Sequence, residues 1–372
     1  MSRPSDVVVV GAGIIGCAVA HELARRGASV QIVDQRQAGQ GATQASAGIL
    51  APYIEAEAGG DFRQLTVRSL HLFDKFVAQA VTDSGTAVTY RRTGTLQVAT
   101  DLDQMATLTG IAAGLGAEHI QTAVLDAHSV RAEEPALSND VVGGLFVPIH
   151  GFVSAEGLTR ALIGAARRHG ARFIEGGRVQ RIAAVGADLA VETELGRIVG
   201  NAVVLAAGSW SGQIQLDGVS ARVPVRPVRG QLVRLAWNGP TLRRVMWGER
   251  CYLVPWDDGT LLAGATVEEA GFDEHTTVAG VRDLLEAACE LVPHAWTARF
   301  LGARAGLRPA SADDLPILGP STVLPNLVYA TGHYRNGILL APLTAQLVAD
   351  ALLDNVVDPI TRTFGPSRFG AL

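Results

Sequence analysis

Cysteine is scarce in this chain of 372 residues, which contains only Cys17, Cys251 and Cys289. They are odd in number, far apart and without a CxxC pair, so neither a disulfide framework nor a cysteine zinc site is expected. The nine histidines show no HxxxH or HExxH spacing, and we therefore expect no metal site. This cysteine usage is typical of a reducing cytoplasm, which is the predicted location.

Long apolar runs and clusters of positive charge are also absent. No apolar run reaches the roughly 18 residues that a membrane-spanning helix needs, so no integral membrane segment is predicted. The apolar stretch 7–20 is interrupted by glycines and lacks a preceding basic region, which is not typical of a signal peptide. A net charge of -5 without lysine or arginine clusters argues against nucleic-acid binding.

The most informative segment present is a run of valines at 7–10 followed by Gly11-Ala12-Gly13-Ile14-Ile15-Gly16. A buried strand that turns at once into a helix is the start of a dinucleotide-binding fold. Gly11 permits the tight turn, Gly13 lets backbone amides approach a pyrophosphate, and Gly16 lets the helix pack closely on the strand. Asp34 follows a second predicted strand, where a carboxylate binds ribose hydroxyls.

The rest of the chain indicates two interleaved domains, since 48% of its residues are hydrophobic and 372 residues exceed one typical domain. A loop rich in glycine and alanine at 38–48 is suited to lie against a flat ligand. Periodicity predicts these elements: helices at 17–26, 62–81, 102–115, 278–291 and 337–353 and one capped by Ser154, a hairpin at 86–100, and strands at 29–33, 178–185, 189–193, 203–206, 223–235, 252–256 and 260–266. The predicted fold class is α/β, with a Rossmann-like domain and an inserted antiparallel sheet.

The segment 331–342 predicts a turn followed by a helix N-terminus. Free amides at such an end would stabilise negative charge on the N1/O2 edge of a reduced flavin. An ordinary helix start that packs a C-terminal helix on the sheet explains the same residues equally well. The glycine fingerprint alone does not distinguish FAD from NAD.

Five segments together resemble the D-amino-acid oxidase family of FAD-dependent amine oxidases, and within it the glycine-oxidase group of the thiamine pathway. They are 11–16, 43–48, 224–231, 306–309 with 314–319, and 332–342. The resemblance implies non-covalent FAD, a small amino acid and oxygen as substrates, hydrogen peroxide as a product, and a homotetramer. It also implies an FAD-binding domain at 1–84, 148–222 and 309–372, and a substrate domain at 85–147 and 223–308.

The resemblance also assigns residues. Besides the glycine fingerprint, flavin contacts are expected from these positions: Ile14, Ile15, Asp34, Gln35, Ala42, Thr43, Ala47, Gly48, Ile49, Val179, His333, Tyr334, Arg335, Asn336, Gly337, Ile338 and Leu339. Arg308, Tyr252 and Arg335 match positions that face the substrate. A guanidinium can bind a carboxylate through two parallel hydrogen bonds, although a surface salt bridge of Arg308 with Asp313 or Asp314 is an alternative. Tyr252 can add a phenolic hydrogen bond.

Two positions depart from the family pattern. Val267 stands where a methionine is usual, and Arg250 where the residue is usually uncharged or histidine. If both flank the pocket, the smaller Val267 admits sarcosine, D-alanine or D-proline besides glycine. No cysteine follows Cys289, so covalent flavin attachment of the kind known in sarcosine oxidases is not expected.

Three functions remain open on the sequence. The first is an oxidase in which a neutral substrate amine gives its α-hydride directly to flavin N5, a step that needs no catalytic base, and electrons pass on to oxygen. The second is a D-amino-acid dehydrogenase that passes electrons to a quinone. The third, an NAD(P)H-dependent flavin reductase, would need a second GxGxxG, and Gly114-Leu115-Gly116 lacks the third glycine.

Overall fold

The computed structural model describes residues 5–56 and 59–372, so the first four residues of the predicted FAD-binding domain and residues 57–58 lie outside it. The helices are: α1 Ile14–Arg25, α2 Pro52–Glu55, α3 Asp61–Ser84, α4 Leu102–Ala117, α5 Ala127–Glu133, α6 Ala155–Arg168, α7 Val278–Leu291, α8 Gly337–Leu353 and α9 Thr361–Phe364. The strands up to the middle of the chain are: β1 Ser5–Val10, β2 Val30–Asp34, β3 Ile49–Leu50, β4 Tyr90–Arg91, β5 Thr95–Ala99, β6 Ala123–Asp126, β7 Gly143–Val147, β8 Gly151–Val153, β9 Arg172–Glu175 and β10 Val179–Val185. The remaining strands are: β11 Asp188–Thr193, β12 Gly196–Leu205, β13 Gln215–Leu216, β14 Val225–Ala236, β15 Val245–Trp247, β16 Tyr252–Pro255, β17 Thr260–Gly264, β18 Arg299–Ser311, β19 Ile317–Pro320 and β20 Leu327–Thr331.

The first sheet has a parallel centre in the order β9-β2-β1-β12-β20. Its inner strands are runs of valine and isoleucine buried on both faces, as expected of parallel strands covered on each side. Helices α1, α3, α6 and α8 cover one face through a shared apolar core. The carboxyl ends of β1, β2, β12 and β20 therefore open at one edge, where ligands bind in such sheets.

The second sheet has eight strands in the order β18-β14-β17-β16-β15-β5-β7-β6. Its longest pair is β14 with β18, which are antiparallel over almost their whole length. The sheet draws on two stretches of chain, 95–147 and 225–311, and α7 packs against it in a separate apolar core. The predicted α/β class with an additional antiparallel sheet is confirmed, while the domain boundaries stay a prediction.

The predicted hairpin at 86–100 is wrong. β4 pairs with β8 in a three-stranded sheet, whereas β5 pairs with β7 and β15 in the eight-stranded sheet. Gly94, at φ +81°, turns the chain from one sheet to the other. Alternating polarity showed the strands but could not show their partners.

Among residues 5–56 and 59–372, no helix combines the length and the apolar character that crossing a membrane requires.

Candidate active site

A cavity of about 560 Å³ lies where the two sheets meet, at the carboxyl ends of β1, β2, β12 and β20. Its size is within the range of small-molecule sites. It runs from Asp34 and Trp210 at one end to Tyr252 and Arg308 at the other. The cavity therefore joins the predicted nucleotide-binding edge to the predicted substrate side chains.

The glycine fingerprint is built as a backbone cradle. Gly11 has φ +104°, and a Cβ there would lie 2.3 Å from the Ala206 carbonyl oxygen. A Cβ on Gly16 would lie 1.8 Å from the Gly11 carbonyl oxygen, so Gly16 serves helix packing and does not line the cavity. At Gly13 a Cβ would meet only the Thr43 hydroxyl, at 3.4 Å. The start of α1 is thus left open to a phosphate group.

Asp34 is oriented by the backbone around it. Its Oδ2 accepts a hydrogen bond from the Ala12 amide at 2.7 Å, and its Oδ1 accepts one from the Arg36 amide at 2.8 Å. Burial raises the pKa of this carboxyl, and the two amides act in the opposite direction. The carboxylate is held at the cavity edge where ribose hydroxyls would bind.

The start of α8 lines another part of the cavity. Gly337 and Ile338 line the cavity, and Asn336 at the N-cap makes no side-chain capping hydrogen bond. His333, buried beside them, contacts the Thr344 hydroxyl through Nε2 at 3.0 Å, and burial lowers its pKa to about 3. A neutral histidine and an uncapped helix end suit the negatively charged edge of a reduced flavin. Leu339 faces the apolar core and does not line the cavity.

The other positions expected to contact flavin line the same cavity. They are Ile15, Gln35, Ala42, Thr43, Ala47, Gly48, Ile49, Val179, Tyr334 and Arg335. An acidic residue, a glycine loop at a helix start and a second helix start are thus aligned along one cavity. These residues fit an elongated dinucleotide such as FAD, with Asp34 at its ribose and α8 near its flavin.

Arg308 lies on β18 with its guanidinium over the neighbouring strand. Its Nη1 donates to the Thr266 carbonyl oxygen at 2.9 Å and to the Arg229 carbonyl oxygen at 3.4 Å. A Cβ on Gly230 would lie 2.3 Å from Nη2 of Arg308, so a larger residue there would displace the guanidinium from this position. Burial lowers the pKa of Arg308.

The alternative role of Arg308 in a surface salt bridge is not observed. Asp313 pairs with Arg368 at 2.8 Å, and Asp314 pairs with Arg226 at 3.1 Å. Arg308 instead lines the cavity, where its charge is available to an acidic ligand.

Tyr252 lies over a second glycine of the same sheet. It pairs in register with Gly264, where a Cβ would come within 2.6 Å of the phenolic oxygen. Burial raises the pKa of Tyr252 to about 12, so the hydroxyl stays protonated and can donate a hydrogen bond. Cys251 belongs to the apolar core beside α7.

Glu55, at the end of α2, is a site residue that sequence reasoning missed. It lines the cavity with a side chain only 16% exposed, and its Oε2 lies 3.9 Å from Nε of Arg335. Burial raises its pKa, while the charges of Arg335 and Arg308 act in the opposite direction. It is the only charged residue of the stretch 47–56, and a lone carboxylate in an apolar stretch was the available signal.

Two tryptophans also line the cavity. Trp247 lies against Tyr252, with ring centroids 5.3 Å apart. The guanidinium carbon of Arg36 lies 4.5 Å from the centroid of the Trp210 ring, and Nη2 of Arg36 lies 2.5 Å from Oε2 of Glu274. Nothing in their spacing along the chain indicates either role.

The structure overturns the expected positions of Val267 and Arg250. Val267 is 54% exposed and is not among the cavity residues, while its neighbours Thr266 and Glu268 bond each other and Gln231 of the adjacent strand. Arg250 points toward α7, where it pairs with Glu290 at 2.6 Å. Neither side chain flanks the pocket.

The fold and this cavity define a dinucleotide-binding flavoprotein oxidoreductase. The chain belongs to the DAO family of FAD dependent oxidoreductases, whose model matches residues 6–351. It is 36% identical over 376 residues to the bifunctional protein ThiO/ThiG of Synechocystis sp., with 99% of this chain and 55% of that protein aligned. The chain thus spans about half the length of the first curated relatives it matches.

Relatives of about the same length as this chain match over nearly their whole length. Glycine oxidase of Geobacillus kaustophilus is 32% identical, with 94% of this chain and 93% of that enzyme aligned. The crystal structure of glycine oxidase from the same organism superposes with a TM-score of 0.92 at 30% identity, covering 100% of this chain and 99% of that one. The family assignment and the FAD cofactor expected from the sequence are confirmed.

Replacing Asp34 with alanine is expected to weaken FAD binding by roughly 1 to 3 kcal/mol, or about 5- to 150-fold in Kd, because buried hydrogen bonds to ribose are lost. Flavin fluorescence during titration of the apoprotein measures this. Asp6→Ala is the matched control, since Asp6 accepts from the Ser29 amide at 2.7 Å at the far end of β1. Equal affinities of the Asp34 and Asp6 variants would contradict the assignment.

Proposed function

We propose that the protein oxidises glycine and other small amino acids, among them sarcosine, D-alanine and D-proline, with FAD as the electron acceptor. The products are an imine that hydrolyses to a 2-oxo acid and ammonia or an amine, and hydrogen peroxide once oxygen reoxidises the flavin. In the thiamine pathway this would be the glycine-oxidising step. The observation that carries the proposal is one cavity that joins the FAD cradle to Arg308, Tyr252 and Glu55.

The substrate carboxylate is assigned to Arg308 and Tyr252. Arg308 supplies a desolvated positive charge, and the protonated Tyr252 hydroxyl can donate a hydrogen bond to the same group. Their charges and dipoles are close enough to influence each other's pKa. A Cβ on Gly230 or Gly264 would collide with these side chains, so the two glycines leave room for them beside the sheet. Such positioning lowers the entropic part of the barrier.

The substrate amine is assigned to Glu55. A bound amino acid carries an ammonium group, which must lose one proton before the Cα–H bond can be oxidised. The Glu55 carboxylate can accept this proton on an oxygen, leaving the lone pair on the substrate nitrogen. Its raised pKa brings its proton affinity closer to that of the substrate amine. Bound FAD supplies the two-electron acceptor.

Selection between substrates by their size is assigned to Trp247, in place of Val267. Trp247→Leu is expected to raise kcat/KM for D-alanine relative to glycine by about fivefold, since room for one methyl group is worth about 1 kcal/mol. Val267→Met should leave this ratio unchanged because the residue lies outside the cavity. Steady-state kinetics with both substrates measures the ratio; a shift in the Val267 variant without one in the Trp247 variant would refute this.

The proposed function is tested with the purified protein. Its absorption spectrum is expected to show flavin bands, and acid precipitation should release intact FAD. Peroxide formation is then assayed with glycine, sarcosine, D-alanine and D-proline. Fast substrate reduction of the flavin combined with slow reoxidation in air would favour the quinone-linked dehydrogenase, and the absence of flavin reduction by any amino acid would refute the proposal.

A further inference from the structure

A cluster of three metal-ligating side chains lies outside the cavity, among the helices that cover the parallel sheet. Among residues 5–56 and 59–372, His21, Asp83 and His169 form one group whose ligand atoms all lie within 4.8 Å of one another. They come from the middle of α1, the end of α3 and the C-cap of α6. None of the three lines the cavity described above.

Both imidazoles converge on a single carboxylate oxygen. Nε2 of His21 lies 2.7 Å and Nε2 of His169 lies 3.1 Å from Oδ2 of Asp83. In a tetrahedral metal site with bonds of about 2.0 to 2.2 Å, nitrogen and oxygen ligands are separated by about 3.4 Å. The present distances therefore need to lengthen by roughly 0.3 to 0.7 Å for an ion to bind between these groups.

Asp83 is also oriented by hydrogen bonds from two residues outside the cluster. Its other oxygen, Oδ1, accepts a hydrogen bond from Nε2 of Gln79 at 2.7 Å, and the main-chain carbonyl of Asp83 accepts one from Arg168 at 3.0 Å. Such outer partners orient ligating carboxylates in metal proteins. Asp83 thus presents one oxygen in a fixed direction.

The burial of the three groups suits a site with one open side. The side chain of His21 is 2% exposed, that of Asp83 is 12% exposed and that of His169 is 33% exposed. The partly exposed His169 leaves a path for an ion and a water molecule.

We propose that His21, Asp83 and His169 bind a divalent transition-metal ion of the zinc type, with water in the fourth position. Two imidazoles and one carboxylate are a ligand set that Zn²⁺ accepts in tetrahedral geometry. The site would link three helices, including α1, whose N-terminal end forms part of the FAD cradle. It lies away from the reaction centre and does not depend on the proposed oxidase activity.

The test is calorimetric titration of Zn²⁺ into the FAD-loaded protein after treatment with a chelator. One Zn²⁺ is expected to bind per chain and to raise the melting temperature. His169→Gln should weaken binding by at least about 10- to 100-fold, the loss that even outer partners of a metal cause when removed. His169 is partly exposed, so this variant is expected to fold, and its flavin spectrum checks that it does. His21→Gln should act in the same way.

His275→Gln is the matched control, because His275 forms a second His–Asp pair without a third ligand. Its Nδ1 lies 2.6 Å from Oδ1 of Asp273, and its side chain is 92% exposed. This variant should bind Zn²⁺ like the parent protein. The proposal is overturned if the parent binds no stoichiometric Zn²⁺, if binding survives in the His169 and His21 variants, or if it is lost in the His275 variant.

Discussion

Replacing Arg308 with alanine is expected to lower kcat/KM for glycine by roughly 30- to 1000-fold while FAD remains bound. The loss corresponds to about 2 to 4 kcal/mol for a charge-assisted hydrogen-bonded pair. Arg308 is the positively charged group held over Gly230 at the substrate end of the cavity, and it lies away from the phosphate cradle. Steady-state kinetics and the flavin spectrum of the variant measure both parts of this expectation.

Two further variants separate the role of Arg308 from general damage to the sheet. Arg299→Ala removes an exposed arginine at the other end of β18 and should leave kcat/KM unchanged. Gly230→Ala keeps Arg308 but places a methyl group against its guanidinium, so it should also impair glycine oxidation. A near-normal kcat/KM in Arg308→Ala would move the carboxylate site elsewhere, with Arg335 as the next candidate.

Replacing Glu55 with glutamine is expected to lower kcat/KM at neutral pH by about 100-fold, the lower range for loss of a positioned proton acceptor. The substrate amine must then lose its proton to water before binding productively. The activity of the variant should therefore keep rising toward alkaline pH, beyond the point where the parent profile levels off. The pH dependence of kcat/KM for both proteins measures this effect.

Glu55→Asp is the matched variant, because it keeps a carboxylate and moves it by one methylene group. It is expected to recover part of the activity and the parent shape of the pH profile. A Glu55→Gln enzyme that is slower by a constant factor at every pH would show that the residue packs the pocket without accepting a proton. Unchanged kinetics would remove Glu55 from the reaction altogether.

The nucleotide half of the site was predictable because its signals are local. The strand at 7–10, Gly11, Gly13 and Asp34 lie within about 30 residues, and each is required by the backbone geometry of one strand, one turn and one helix. The start of α8 was predictable for the same reason. Its two interpretations, a flavin contact and an ordinary helix start, are compatible, since Gly337 lines the cavity while α8 packs in the apolar core on the parallel sheet.

The substrate half was predictable only in part. The resemblance assigned Arg308 and Tyr252 to the substrate, and both line the cavity. Their packing over Gly230 and Gly264 depends on cross-strand register, which the sequence does not show. Val267 was misplaced because family position gives no information on which way a side chain points at the end of a strand. The side chains of Thr266 and Glu268 both bond Gln231 of the adjacent strand, and Val267 between them is exposed.

Pattern and composition determined the fold class, the dinucleotide-binding start and the family, since each depends on residues close in sequence or on segments in a characteristic order. Tertiary structure alone decided which distant groups meet. Glu55 reaches Arg335 across 280 positions, and His21 meets Asp83 and His169 from three separate helices. Such contacts arise because helices and strands pack by their apolar faces, which brings polar side chains together whatever their separation along the chain.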